Sequence, residues 1–133
     1  MNPENVLAEF NRARKALQAA QILHAGGLFE DAVSRSYYAV MHAAKAALLA
    51  HDTTAESHAA VRRFFGTILV RPGLIEREWA AVLAREQDQR MVADYDVQVS
   101  WEAESSSHLI EDAQAFVRRI RDYLMNIGIS VEG

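Results

Sequence analysis

Arg35 and His42 stand seven residues apart in a stretch, Arg35-Ser36-Tyr37-Tyr38-Ala39-Val40-Met41-His42, that is otherwise mostly apolar or aromatic. Arginine offers phosphate oxygens a planar, permanently charged fork, and histidine exchanges protons near neutral pH. Together they meet the minimum for breaking an RNA phosphodiester without a metal. One group neutralises the charge that builds on the phosphate while the other moves a proton. On a helix, seven residues are about two turns, or roughly 10.5 Å of axis, so the two side chains point the same way. Asp31, Tyr38 and Lys45 join them within a sector roughly 80° wide. The ordinary alternative is that this stripe is the solvent-facing edge of the helix, with Asp31 and Arg35 forming an i,i+4 ion pair. Periodicity alone is compatible with either reading.

The stripe needs a helix to carry it, and the chain is rich in helix signals. Val6, Phe10, Ala13, Leu17 and Ala20 recur every three or four residues and predict a first helix from about Pro3 to Gly26-Gly27. A second helix is expected from about Leu28 to His51, apolar nearly all round from Tyr37 to Ala50 and so buried on most sides. Thr53 and Glu56 have capping-box spacing and predict a third helix, with Val61, Phe64, Phe65, Ile68 and Leu69 inward and Arg71-Pro72-Gly73 as its end. A fourth segment holds Trp79, Val82 and Leu83 and runs into the polar stretch Arg85 to Arg90. Asp94 to Trp101 reads as an extended connection, because one short strand has nothing to pair with. Leu109, Ala113, Phe116, Ile120, Tyr123 and Ile127 mark a long amphipathic last helix. The expected architecture is an all-α, up-and-down bundle of four principal helices plus one or two short ones, forming a single domain over residues 1–133.

Composition narrows the chemistry. The chain has 133 residues, half of them hydrophobic, with 23 alanines against 6 glycines and 2 prolines, which suits closely packed helices. The formal charge of −4 argues against a surface coated for nucleic acid, so any such contact has to be local. Arginine outnumbers lysine 12 to 2, favouring bidentate phosphate recognition wherever that contact lies. The absence of cysteine excludes disulfides, thiol nucleophiles and cysteine-ligated metal centres. Paired Glu-x-x-His motifs, His-Glu-x-x-His, a Walker A loop, a Rossmann glycine fingerprint and Gly-x-Ser-x-Gly are all absent, and no cofactor is implied. Met1-Asn2-Pro3-Glu4-Asn5 has neither the basic nor the apolar part of a signal peptide, and no run is long enough to span a membrane. A soluble cytoplasmic protein is therefore expected.

Other polar groups have simpler readings. His58 could bind phosphate with Arg62 and Arg63 one turn on, or could cap or pack the third helix. Arg90 and Asp94 have ion-pair spacing, and Tyr95 beside them reads as a core contact. Arg118, Arg119 and Arg121 are interspersed with Glu111, Asp112 and Asp122 as a self-neutralised face. Trp79 reads as core, while Trp101, in the connection, is the aromatic best placed to stack on a base.

The segment Arg35 to Leu49 (RSYYAVMHAAKAALL) resembles the signature helix of the HEPN family, the higher eukaryotes and prokaryotes nucleotide-binding domains. His58 follows at a family-like distance, Arg90-Met91-Val92-Ala93-Asp94-Tyr95 is similar to an Arg…Ala-Asp-Tyr element, and the long C-terminal helix completes the likeness. The resemblance implies a four-to-five-helix bundle that dimerises with the Arg-x4–6-His motifs of two copies together. It further implies metal-independent RNA cleavage by 2′-hydroxyl attack, with Arg35 neutralising the phosphate and His42 as general acid or base. Ser36, Tyr38, Lys45 and His58 are the expected substrate-binding residues, and RNA or a nucleotide the expected ligand. A minimal nucleotidyltransferase acting as antitoxin is the implied partner. Ala44 stands where some toxin members carry a tyrosine that the partner modifies, so that mode of control is not implied. The other function open to the same residues is a non-catalytic nucleotide-binding or assembly subunit.

Overall fold

The computed structural model describes residues 1–131. Five helices follow in order: α1 (Pro3–Ala25), α2 (Phe29–Leu49), α3 (His58–Phe64), α4 (Arg77–Tyr95) and α5 (Ala103–Asn126). There is no strand among the described residues, and the all-α bundle with four long helices is as the periodicity predicts. Asn2 caps α1 by accepting from the amides of Glu4 and Asn5, and Gly27, at φ 78°, turns the chain out of it.

The apolar helix α2 is the centre of the fold and packs against α1, α4 and α5. Its alanines Ala39, Ala43, Ala46 and Ala47 have no exposed surface, and their small side chains let the neighbouring backbones approach closely. Val6, Phe10, Ala13 and Ala16 supply the facing seam from α1. At the other side Phe65 and Phe116 meet at 5.6 Å, and Trp79 sets its edge on Phe116 at 6.1 Å. The expected buried face of the third segment divides, with Val61, Phe65 and Leu69 buried and Phe64 and Ile68 only half-buried.

Local details depart from the sequence reading in four places. The third helix starts at His58, because Ser57 rather than Thr53 caps it, accepting from the amide of Ala60 at 3.0 Å. Thr53 instead donates to the carbonyl of His51, which makes it part of the preceding turn. After Phe64 the helix widens into a π-helical stretch, Phe65–Val70, before Pro72 ends it. Helix α4 continues through Asp94 to Tyr95, so the irregular connection is shorter than expected. Tyr95 is exposed rather than a core contact, and Trp101 is buried against Val33 and Leu109, out of reach of any base. Among the described residues no helix is long and apolar enough to cross a membrane.

Candidate functional site

Helices α1 and α2 run side by side, and a surface groove of about 510 Å³ lies between them. Helix α2 contributes Arg35, Tyr38 and His42 to it, three members of the stripe. Arg35 is exposed and makes no ion pair among the described residues, so the expected Asp31–Arg35 pair does not form. Its guanidinium carbon lies 5.9 Å from the centroid of the Tyr38 ring, and that ring in turn lies 6.4 Å from the ring of His42. Arg35, Tyr38 and His42 thus form one continuous surface of charge, aromatic face and imidazole.

Glu9, on α1, is the residue that sequence reasoning missed. Its Oε2 accepts from His42 Nδ1 at 2.9 Å, and its Oε1 lies 3.5 Å from Lys45 Nζ. The hydrogen bond from His42 holds the Glu9 carboxyl below its ordinary range, against the opposing effect of burial and with help from the charges of His42 and Lys45. A carboxylate on Nδ1 fixes the imidazole tautomer and orientation. His42 Nε2 has no hydrogen-bond partner among the described residues and is the nitrogen left for proton transfer. A Glu9→Ala protein is expected to lose this tautomer preference. The ring ¹⁵N spectrum checks it: protonated Nδ1 dominates for neutral His42 in the wild type and gives way to protonated Nε2 in the variant. An unchanged tautomer would remove Glu9 from the site. Lys45 is thereby committed to Glu9, at the end of the stripe away from Arg35.

Tyr38 is anchored from α4. Arg90 Nη2 donates to the Tyr38 hydroxyl at 3.1 Å, and its guanidinium stands over the rings of both Tyr37 and Tyr38. Arg90 Nε is 2.8 Å from Asp94 Oδ2, a close ion pair whose N–H is not aimed for a hydrogen bond. The Ser34 hydroxyl donates to the same Asp94. The i,i+4 pair expected from sequence therefore exists, and its effect is to hold Tyr38 in place.

His58 belongs to a neighbouring cluster. Burial pushes the Tyr37 hydroxyl up to about 12, so it stays protonated and donates to His58 Nδ1. Desolvation, with Arg90 and Lys45 nearby, lowers the pKa of His58 and favours its neutral, accepting form. Arg62 turns to Gln87 and Asp88, and Arg63 lies over the ring of Phe64, so neither completes a phosphate clamp with His58. His58 and Lys45 do share the rim of a small separate cavity.

Ser36 does not meet the expectation that it contacts substrate. It has no exposed surface and points into the bundle, 2.9 Å from the carbonyl of Leu109 and 2.6 Å from Glu86 Oε1. The Ser36 hydroxyl donates to both, its single proton shared between the Leu109 carbonyl and Glu86 Oε1. Burial, with Asp112 adding to it, raises the Glu86 carboxyl to about 8, opposed by Ser36 and Arg85. Of the α5 arginines expected to be neutralised by Glu111, Asp112 and Asp122, Arg121 pairs with Asp122, whereas Arg119 pairs with Glu76 and Asp112 pairs with Arg85 of α4. Among the described residues no three His, Asp or Glu side chains converge as metal ligands.

Three known proteins resemble this chain over much of its length. A candidate toxin of Methanocaldococcus jannaschii is 37% identical over 124 residues, covering 93% of this chain and 92% of the relative. A second candidate toxin of the same organism is 25% identical, covering 89% and 80%. A UPF0332 protein of Pyrococcus horikoshii is 38% identical over 67% of this chain and 63% of its own length. A model of the HEPN domain matches residues 7–123, which takes in Glu9, the whole of the α1–α2 groove and the Arg35–His42 helix. With that match over most of the helical bundle, the chain belongs to the HEPN domain family.

Proposed function

We propose that this chain is a metal-independent endoribonuclease, acting as the toxin of a toxin–antitoxin pair whose antitoxin is a minimal nucleotidyltransferase. The observation that carries the catalytic reading is the pairing, in one open groove, of an uncompensated Arg35 with a His42 whose Nδ1 is fixed and whose Nε2 is free. The names of the two Methanocaldococcus relatives support the toxin role.

In this mechanism the Arg35 fork holds the two non-bridging oxygens of the scissile phosphate. The ribose 2′-oxygen attacks phosphorus, its proton passing to His42 Nε2. The P–O5′ bond breaks, leaving a 2′,3′-cyclic phosphate and a 5′-hydroxyl. Charge on the phosphorane is met by Arg35, and the imidazolium that forms is met by Glu9. A neutral His42 can take one proton, and the departing O5′ requires a second group to supply one. A homodimer that sets two copies of the groove face to face provides it, from the His42 of the other copy.

The test is incubation of the purified protein with mixed RNA in EDTA, followed by analysis of the product ends. The expected products carry 2′,3′-cyclic phosphate and 5′-hydroxyl termini. Intact RNA at every protein concentration would sink the ribonuclease reading and leave nucleotide binding or assembly as the role of the groove.

A further inference from the structure

Most cations of the described residues that adjoin a carboxylate are tied to it: Arg62 to Asp88, Arg85 to Asp112, Arg90 to Asp94, Arg119 to Glu76, and Lys45 to Glu9. Arg12 and Lys15 are different. Both are exposed on α1, neither has an ion-pair partner among the described residues, and both line the groove that holds Arg35 and His42. Three uncompensated positive side chains therefore share one groove in a chain whose net charge is −4.

The helix register places them. Glu9 reaches His42 and Lys45, so the turn of α1 that follows it, carrying Arg12 and Lys15, runs alongside the Tyr38–His42 portion of α2. Arg12 and Lys15 are about 4.5 Å apart along the axis and sit on the opposite wall from Arg35. Ala16 and Ala19, also lining the groove, are small enough to leave its floor open. Cations on both walls, with the Tyr38 ring beside Arg35 on one of them, form an electrostatic channel with a stacking platform, the arrangement that suits a single nucleic-acid strand. A second copy of the chain would present the same positive charges across a twofold axis, so an anion is needed between them.

We propose that Arg12 and Lys15 form a backbone-binding track that holds the phosphates flanking the scissile one. The proposal rests on the ribonuclease reading for the identity of the strand, but its test does not use cleavage. A labelled 2′-O-methyl oligoribonucleotide, which has no free 2′-hydroxyl to attack, is titrated with the protein, and anisotropy is followed over a series of KCl concentrations.

The R12A/K15A double variant is expected to bind about ten-fold more weakly or worse. Its plot of log affinity against log salt is expected to be shallower by about 1.4, the contribution of two phosphate contacts on a single strand. Both residues are exposed, so its thermal transition stays at the wild-type temperature. The R71A/R77A variant, which removes two other exposed and unpaired arginines, is expected to bind as the wild type does. Wild-type affinity and slope in R12A/K15A, or equal losses in both variants, would overturn the track. If that occurs while the wild type still cleaves RNA, the track alone is wrong. A wild type that neither binds nor cleaves RNA overturns both the track and the ribonuclease reading.

Discussion

A His42→Ala protein folds as the wild type does and cleaves RNA roughly 10²–10⁴-fold more slowly, the range for loss of a positioned general acid or base. His42 is half-buried at the edge of the groove, and its one hydrogen bond is to Glu9, so its removal leaves the core intact. Arg35→Ala is expected to cost about 10²–10³-fold, as loss of a fixed donor to a charged intermediate does, and it leaves the imidazole in place. Arg35→Lys keeps the charge but loses the bidentate fork, so it recovers only part of the rate. Single-turnover cleavage separates these losses from product release. Glu9 acts through His42, and Glu9→Ala is expected to lower kcat with little change in KM, in step with the altered tautomer. A His42→Ala protein with wild-type turnover would move the chemistry away from this groove.

The second large effect is on stability and concerns Glu86. Its folded-state pKa, about 8, lies above the ordinary carboxylate value of 4.5. The folded state therefore binds a proton that the unfolded chain releases, and stability falls as pH rises between those values. The slope is about 1.4 kcal/mol per pH unit, so the total across the window is on the order of 4–5 kcal/mol. The groups that face Glu86 are the Ser36 hydroxyl from α2, Asp112 from α5, which disfavours ionisation, and Arg85 on its own helix, which favours it. Glu86→Gln keeps an oxygen that accepts from Ser36 and removes the titration. Denaturant unfolding from pH 5 to 8 checks it: wild type and variant are similar in stability at pH 5, and the variant is more stable by several kcal/mol at pH 8. Parallel pH profiles would mean that Glu86 is ionised in the folded protein. Glu9 and Glu76, whose pKa values are lowered, act in the opposite direction below about pH 4.5 and are shared by both proteins.

The α2 stripe was legible because helical periodicity puts Arg35, Tyr38 and His42 on one line whatever surrounds the helix. The long helices were legible for the same reason, since their apolar positions repeat over many turns. Glu9 was not, because its meaning comes from a contact between residues 33 apart in sequence, and nothing local distinguishes it from a solvated glutamate. The resemblance implies Ser36 as a substrate contact, but one residue of helix rotates its side chain by about 100° from Arg35, which takes it off the stripe and into the core. Glu86 was hidden in the polar run Arg85 to Arg90, where one carboxyl turns inward to the bundle and its neighbours stay near the surface. Thr53 and Glu56 have the spacing of a capping box, but the turn after α2 uses Thr53 first, leaving Ser57 to start the helix. Arg12 and Lys15 gained meaning only when α1 was laid against α2.

The central claim, that Arg35 and His42 direct a ribose 2′-hydroxyl at its own phosphate, is tested most directly with one synthetic RNA. Its main cleavage position is mapped in EDTA, and the strand is then remade with a single 2′-deoxy residue immediately 5′ of that bond. Cleavage at the altered bond is predicted to vanish, while neighbouring sites are still cut and still yield 2′,3′-cyclic phosphate. Continued cutting at the 2′-deoxy position would contradict it, because water or another nucleophile would then be attacking the phosphate.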